Sequence, residues 1–215
     1  GIDCLALGRP AAALGHLERC RAIARTIRAG PQEFHCILDL AAAHAEQGDD
    51  SNAERLHDEA IEHARARGDR AQEAAALVAR GGLLSRRERV PAARSDFEAA
   101  LGIIRDLQDT SAEDRLWTAA PSVEVEAAAW LAIVSGGDPA DALAALSRCR
   151  DSDGPQVSFL MWRATGDRAH LSKAKQMLDD LIAANPPEYR ESMLTAVRLH
   201  REIAAAWAAQ GGAAG

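Results

Sequence analysis

The chain carries one nine-residue pattern three times, forty residues apart: AALGHLERC at residues 12–20, NAERLHDEA at residues 52–60 and AARSDFEAA at residues 92–100. Each copy has a small residue, a large one four positions later and a small one three positions after that. Such a spacing places all three on one face of an α-helix. The leading small residues are Ala13, Ala53 and Ala93. A fixed interval of this length is typical of stacked helical hairpins, so the pattern predicts an all-α solenoid.

Composition favours the same class. Hydrophobic residues make up 47% of the 215 residues but aromatic residues only 4%, because most of the apolar content is alanine and leucine. These residues favour helix, and β-branched residues are sparse. The net charge of −7 argues against a nucleic-acid partner. No apolar stretch reaches the roughly 18 residues that a membrane span requires, so no membrane association is expected.

Four cysteines, Cys4, Cys20, Cys36 and Cys149, show no C-x-x-C pairing. Three of them fall at small-residue positions of the repeat. They are therefore interpreted as cysteines that stay reduced and pack in the core of a cytoplasmic protein, and not as cysteines that form disulfides or bind zinc.

The three copies, with the residues before them, resemble the tetratricopeptide repeat family. That family alternates small and large residues at fixed positions along a helical hairpin. The matching residues are Gly1, Cys4, Ala13, Leu17 and Cys20 in the first unit, Ala41, His44, Ala53, His57 and Ala60 in the second, and Gly81, Leu84, Ala93, Phe97 and Ala100 in the third. The interval of forty exceeds the family's usual value of about thirty-four, which implies helices about one turn longer. Longer repeats of this kind are common in bacterial regulatory proteins.

The forty-residue interval is regular in the first half of the chain and is lost in the second half. Residues 1–107 are predicted to hold regular repeats, the first truncated at its start. The next alanine in frame after Ala93 is Ala142, so residues 108–121 are predicted to be an inserted loop. Residues 122–209 are predicted to form degenerate hairpins and a C-terminal capping helix at 188–209, and residues 210–215 a flexible tail. The resemblance implies a right-handed solenoid.

Individual helices are predicted from the same periodicity and from the turn residues. Their ranges are 32–47, 50–67, 70–86, 89–107, 123–135, 139–150, 155–165 and 168–184. Gly81 is expected where two helices cross closely, and Trp130 is expected to alter the packing around it because it occupies a small-residue position.

No motif for catalysis stands out. His44 and His57 are expected to face each other within one hairpin, but spacing supplies no third ligand, so no metal is predicted. Gly81-Gly82 lacks the context of a phosphate loop. No nucleophile or acid–base arrangement is apparent. The chain is therefore predicted not to be an enzyme and to need no cofactor.

The resemblance implies a concave groove lined by the first helix of each hairpin. The corresponding residues are His35, Leu38, Ala42, Ala45, Glu46, Val78, Gly82, Ser85 and Arg86. The lysine and asparagine side chains with which some family members grip chaperone tails are replaced by Leu38, Ala42, Val78 and Gly82. A mainly apolar groove suits a protein or peptide partner, such as an amphipathic helix or an upstream domain of the same chain.

Three roles remain open at this point. The first is a protein–protein interaction scaffold within a larger bacterial regulatory protein. The second is an intramolecular arm that regulates an attached kinase, NTPase, cyclase or protease domain, and the third is a self-assembly module. The ending, with Lys173-Ala174-Lys175 and Pro187-Glu188-Tyr189-Arg190, resembles the C-terminal repeat arrays of large bacterial signalling proteins.

Overall fold

A computed structural model describes residues 1–109, 121–149 and 154–211. These ranges contain twelve α-helices and no strand. The helices are α1 Ile2–Ala6, α2 Pro10–Thr26, α3 Gly30–Glu46, α4 Asp50–Ala66, α5 Arg70–Arg86, α6 Val90–Asp109, α7 Pro121–Ser135, α8 Ala140–Arg148, α9 Pro155–Thr165, α10 Arg168–Ala183, α11 Arg190–Ala196 and α12 Arg198–Ala209. The fold is an all-α helical repeat solenoid, as the periodicity predicts.

The helices α2 to α6 are separated by turns that recur every twenty residues. A residue with positive φ stands at each turn: Gly8, Arg28, Gly48, Gly68 and Glu88. Asp49 and Asp69 then cap α4 and α5 by accepting hydrogen bonds from the backbone N–H groups of Asn52 and Gln72. The period of forty is therefore two helix–turn units of equal length.

The three alanines of the repeat lie at the helix crossings. Ala13, Ala53 and Ala93 are each 0% exposed, which confirms the predicted register. Gly81 is also required at a crossing. A Cβ atom there would lie 2.5 Å from Cε1 of Phe97 in α6, so only glycine lets the two helices approach this closely.

Charged residues join neighbouring helices on the outside. Arg80 of α5 binds both carboxylate oxygens of Asp96 in α6, at 2.8 and 2.7 Å, and Asp58 in α4 at 2.7 Å. The pairs Arg25–Glu33 and Arg65–Glu73 lie forty residues apart and repeat the same contact at equivalent turns of successive repeats. The repeat therefore includes ion pairs as well as packing residues.

Trp130 of α7 packs against both α5 and α6. Its ring stacks on that of Phe97, with the centroids 5.9 Å apart and the planes inclined by 4°. A Cβ atom at Gly82 would lie 3.7 Å from the indole, an ordinary contact distance. Of the two adjacent glycines of α5, only Gly81 is therefore required by an aromatic ring.

The C-terminal residues depart from the expected single capping helix. We call residues 187–209 the closing segment; it comprises a 3₁₀ turn, α11 and α12. The helix is broken at Val197, whose backbone is extended. One part behaves as a cap, because Ile203 of α12 packs with Leu171 and Leu178 of α10.

The other part of the closing segment returns to the start of the solenoid. Ser192 of α11 donates a hydrogen bond to the carbonyl oxygen of Leu7, at 2.6 Å. The Ser192 carbonyl oxygen would lie only 2.2 Å from a Cβ atom at Gly8, so the close approach itself requires glycine there. The chain therefore closes on itself, which its periodicity did not predict.

The predicted inserted loop, residues 108–121, lies mostly outside the described ranges. Residues 108 and 109 belong to α6 and residue 121 begins α7, while residues 110–120 are not described. Most of the predicted tail, residues 212–215, also lies outside the described ranges. Cys20 was expected to be a core packing residue, but it is exposed, whereas Cys36 is buried.

Candidate functional site: the concave cavity

A cavity of about 410 Å³ occupies the concave side of the solenoid. Its walls come from α3, α5, α7, α9 and α12. The inner helices of successive hairpins thus form one side, and the closing segment forms the other. The groove expected from the sequence is partly covered by the chain's own C-terminal helix.

The predicted groove residues divide into two sets. Five of them line the cavity: Ala42, Glu46, Val78, Gly82 and Arg86. Four do not: His35, Leu38, Ala45 and Ser85. His35 lies on the exposed side of α3, where its Nδ1 contacts the carbonyl oxygen of Pro31 at 2.6 Å, and Leu38 packs against the core. The repeat positions therefore predict the cavity-lining residues of α5 better than those of α3.

Val78 is more enclosed than the sequence implies. Its exposed fraction is 5%, so it forms part of the cavity floor and also of the core. A charge placed there would disturb folding as well as binding. Among the predicted groove residues that line the cavity, Ala42 and Arg86 are the exposed ones.

Cavity residues from α7, α9 and α12 were missed by sequence reasoning. They include Glu126, Trp130, Phe159, Arg163, Arg198 and Glu202. The repeat pattern is irregular in these helices, so counting positions from the regular repeats did not identify these residues. The sequence signal that could have pointed to α12 is the pair Arg198 and Glu202, which have opposite charges and lie on one helical face.

The closing segment is held across the cavity by Glu46. One oxygen of this carboxylate accepts the backbone N–H of Arg198 at 2.9 Å, and the other lies 3.4 Å from the Arg198 guanidinium. Glu46 therefore acts as a cap for α12 and as an ion-pair partner at once.

Arg86 faces this contact from α5. Among the described residues no carboxylate lies within ion-pair distance of its guanidinium. Partial burial, and then the positive charge of Arg198, lower the pKa of Arg86 to about 10, while Glu202, Asp50 and Glu46 act in the opposite direction. A carboxylate placed beside Arg86 would offset the solvation free energy that its guanidinium loses through partial burial.

Glu126 lies on the opposite wall. Gln156 donates a hydrogen bond to its Oε2 at 2.7 Å. Burial raises the pKa of Glu126 to about 7, and the Gln156 hydrogen bond opposes this shift. The wall can therefore carry a neutral or a charged carboxyl group near neutral pH.

The aromatic floor is fixed from both sides. Arg163 of α9 lies over the Trp130 ring, 5.0 Å from its centroid, while Phe97 stacks on Trp130 from the core. Such a cation–π contact holds the guanidinium of a cavity-lining residue against the indole. The cavity thus combines apolar and aromatic walls with arginines and glutamates, an arrangement suited to a segment with both apolar and charged side chains.

The histidine pair does not form a site. His44 Nδ1 lies 3.1 Å from Asp49 Oδ2 at the end of α3. His57 is buried in α4, and its Nδ1 has no hydrogen-bond partner. Burial, with the charges of Arg86 and Arg80, lowers the pKa of His57 to about 4. Across the described ranges, no three acidic, histidine or cysteine side chains converge as metal ligands.

Comparison with protein-family models and with curated protein sequences finds no match. Within the described residues, every helix is too short or too polar to span a bilayer.

Proposed function

We propose that this chain is a tetratricopeptide-like scaffold that binds a helical segment of a partner protein in its concave cavity. It would do so in the cytoplasm, as part of a larger bacterial regulatory protein, and without catalysing a reaction. The observation that carries the proposal is that the concave face already receives an amphipathic helix. α12 lies there with its Leu199 on the cavity wall and its Arg198 on Glu46.

The closing segment also defines what a partner would need. A competing helix would offer a cation to Glu46, a carboxylate to Arg86 and an apolar side chain to the wall formed by Ala42, Val78 and Trp130. Burial of apolar surface would supply most of the binding energy, at about 25 cal/mol per Å² before ordering costs. The charges would mainly set direction and association rate.

A second candidate is that the groove serves the chain itself. The contact of Ser192 with Leu7, together with that of Arg198 with Glu46, favours this role because both hold the closing segment over the cavity. In that case the scaffold would regulate an attached domain by changing between closed and open states. A partner helix and the closing segment would then compete for one surface.

The test uses affinity isolation from the source organism with three variants. Ala42→Trp fills the cavity from an exposed position, and Arg86→Ala removes the unpaired cation. Glu62→Arg changes an exposed residue on the outer face of α4 and serves as the matched control. Circular dichroism verifies that each variant is folded.

We expect a specific partner to be lost with both cavity variants and retained with Glu62→Arg. Titration of the purified partner should then show at least about a tenfold loss of affinity for Arg86→Ala, the usual cost of a contact at the centre of an interface. A partner that binds both cavity variants normally but not Glu62→Arg would place the working surface on the outer face instead.

A further inference from the structure

Two cysteines of neighbouring hairpins lie side by side. Cys20 is near the middle of α2 and Cys36 is in the first half of α3. Their Sγ atoms are 3.0 Å apart, with the Cys36 thiol donating to the Cys20 sulfur. Both are free thiols in the structure. The spacing of sixteen residues in sequence gave no reason to pair them, because the contact depends on how α2 packs against α3.

The surroundings of the two sulfurs differ in a way that suits a redox pair. Cys20 is exposed, so an oxidant in solution can reach it, whereas Cys36 is only 4% exposed. Burial, and then the hydrogen bond with Cys20, raise the pKa of the Cys36 thiol to about 12; the positive charge of Arg21 acts weakly in the opposite direction. Cys36 thus stays protonated near neutral pH and keeps its hydrogen bond to the Cys20 sulfur.

A second observation concerns Arg21, which follows Cys20. Its Nε is buried and has no hydrogen-bond partner, while its Nη2 binds Glu59 of α4. The Arg21 charge acts on the Cys36 thiol, where the carboxylate of Asp39 opposes it.

We propose that Cys20 and Cys36 form a reversible thiol–disulfide pair that is oxidised by a hydroperoxide and links α2 to α3. The Cys20 sulfur attacks the terminal oxygen of the hydroperoxide. A sulfur–oxygen bond forms as the oxygen–oxygen bond breaks, and the leaving oxygen takes the Cys20 proton to give an alcohol or water.

The Cys36 sulfur then attacks the resulting sulfenic acid. The sulfur–sulfur bond forms as the sulfur–oxygen bond breaks, and the departing hydroxide takes the Cys36 proton and leaves as water. The two thiols lose two electrons in all, and the hydroperoxide accepts them. A dithiol reductant reverses the step by exchange.

The disulfide would fix the first hairpin against the second. This first hairpin also carries Leu7 and Gly8, against which Ser192 of the closing segment lies. Oxidation would therefore hold in place the surface on which the closing segment rests. The inference does not depend on the function proposed above.

The experiment uses the full chain with Cys4→Ser and Cys149→Ser, which leaves only the pair. The protein is treated with hydrogen peroxide while folded, blocked with iodoacetamide after denaturation, and cut with a glutamate-specific protease. Cleavage after Glu18, Glu33 and Glu46 separates residues 19–33 from residues 34–46.

We expect these two peptides to remain joined with a loss of two hydrogens, and to separate after reduction. The oxidised protein should contain no disulfide between chains and should melt roughly 5–10 °C higher, as expected for a disulfide that closes a loop of this size. In a Cys36→Ala variant, Cys20 should accumulate as a sulfenic acid that dimedone labels.

Three outcomes would overturn the proposal: both cysteines alkylated after peroxide, Cys20 overoxidised beside an alkylated Cys36, or a crosslink between two chains. A folded Cys36→Ala variant without dimedone labelling would likewise show that Cys20 is not the attacking thiol.

Discussion

At the scale of single residues, His57 is a polar side chain that lies buried in the core. It occupies the large-residue position that Leu17 and Phe97 hold in the other repeats, and all three are buried. The buried imidazole of His57 makes no hydrogen bond through Nδ1. Its charged form is therefore unfavourable in the folded protein.

We expect this histidine to make the fold sensitive to acid. Its pKa is about 6.5 when unfolded and about 4 when folded, so between these values the unfolded chain binds a proton that the folded chain does not. Stability thus falls as the pH decreases from about 6.5 to about 4, by up to roughly 3 kcal/mol. Glu126 acts oppositely, because its raised pKa favours the folded state as the pH decreases below about 7.

The measurement is urea unfolding of the wild type and of His57→Leu at several pH values. Leucine fits because Leu17 fills the same position in the first repeat. The difference between the two proteins isolates His57 from Glu126 and other groups that both share. Parallel loss of stability in the two proteins between pH 7 and pH 4 would contradict the assignment.

At the scale of helices, the repeat depends on how closely paired helices approach. α5 and α6 cross at Gly81, where the Phe97 ring lies against the glycine and is held on its far side by Trp130. The ring is 0% exposed and so has no free space into which it could move. Sequence alone predicted this crossing, but the stacking on Trp130 was visible only in the structure.

We expect Gly81→Ala to destabilise the protein by roughly 1–3 kcal/mol, because the added methyl overlaps the Phe97 ring. Gly102→Ala in α6 is the matched control. A Cβ atom at Gly102 meets nothing within 4 Å, so alanine should stabilise by up to about 1 kcal/mol through helix propensity. Chemical denaturation measures both changes. Equal stabilisation by the two substitutions would show that α5 and α6 are not closely packed at Gly81.

At the scale of the whole molecule, the solenoid closes through contacts between its two ends. Glu46 binds α12 through both the backbone and the side chain of Arg198, and Ser192 binds Leu7. These contacts are few and partly exposed, whereas Ile203 anchors the far end of α12 in an apolar cluster. α11 should therefore open before α12 separates from α10.

We expect Glu46→Ala to lower the opening free energy of α11 and the first turn of α12 by about 1–2 kcal/mol, which would speed their amide hydrogen exchange roughly 5- to 30-fold. Exchange in α4 and α5 should stay unchanged. Asp179→Ala, which removes an exposed ion pair with Lys175 on α10, is the control. Unchanged exchange in α11 after Glu46→Ala would mean that Glu46 does not hold the closing segment.

For α2 to α6, the sequence by itself determined where the helices lie, how long they are and where they cross. These features depend on residues within one hairpin and its neighbour, and a period of forty repeats them. It also identified the α5 wall of the cavity. It did not identify the positive-φ turn residues Arg28 and Glu88, because neither is a glycine. The handedness of the solenoid stays a prediction.

Only the tertiary structure decided where the C-terminal residues lie. The contact of Ser192 with Leu7 joins residues 185 positions apart, and that of Arg198 with Glu46 joins residues 152 positions apart. No local pattern encodes such pairs, since each follows from the accumulated curvature of all the hairpins between them. The same reason explains why α12 contributes to a cavity whose other walls include α3 and α5. Periodic sequence specifies nearest-neighbour packing, while closure depends on the sum of many small rotations.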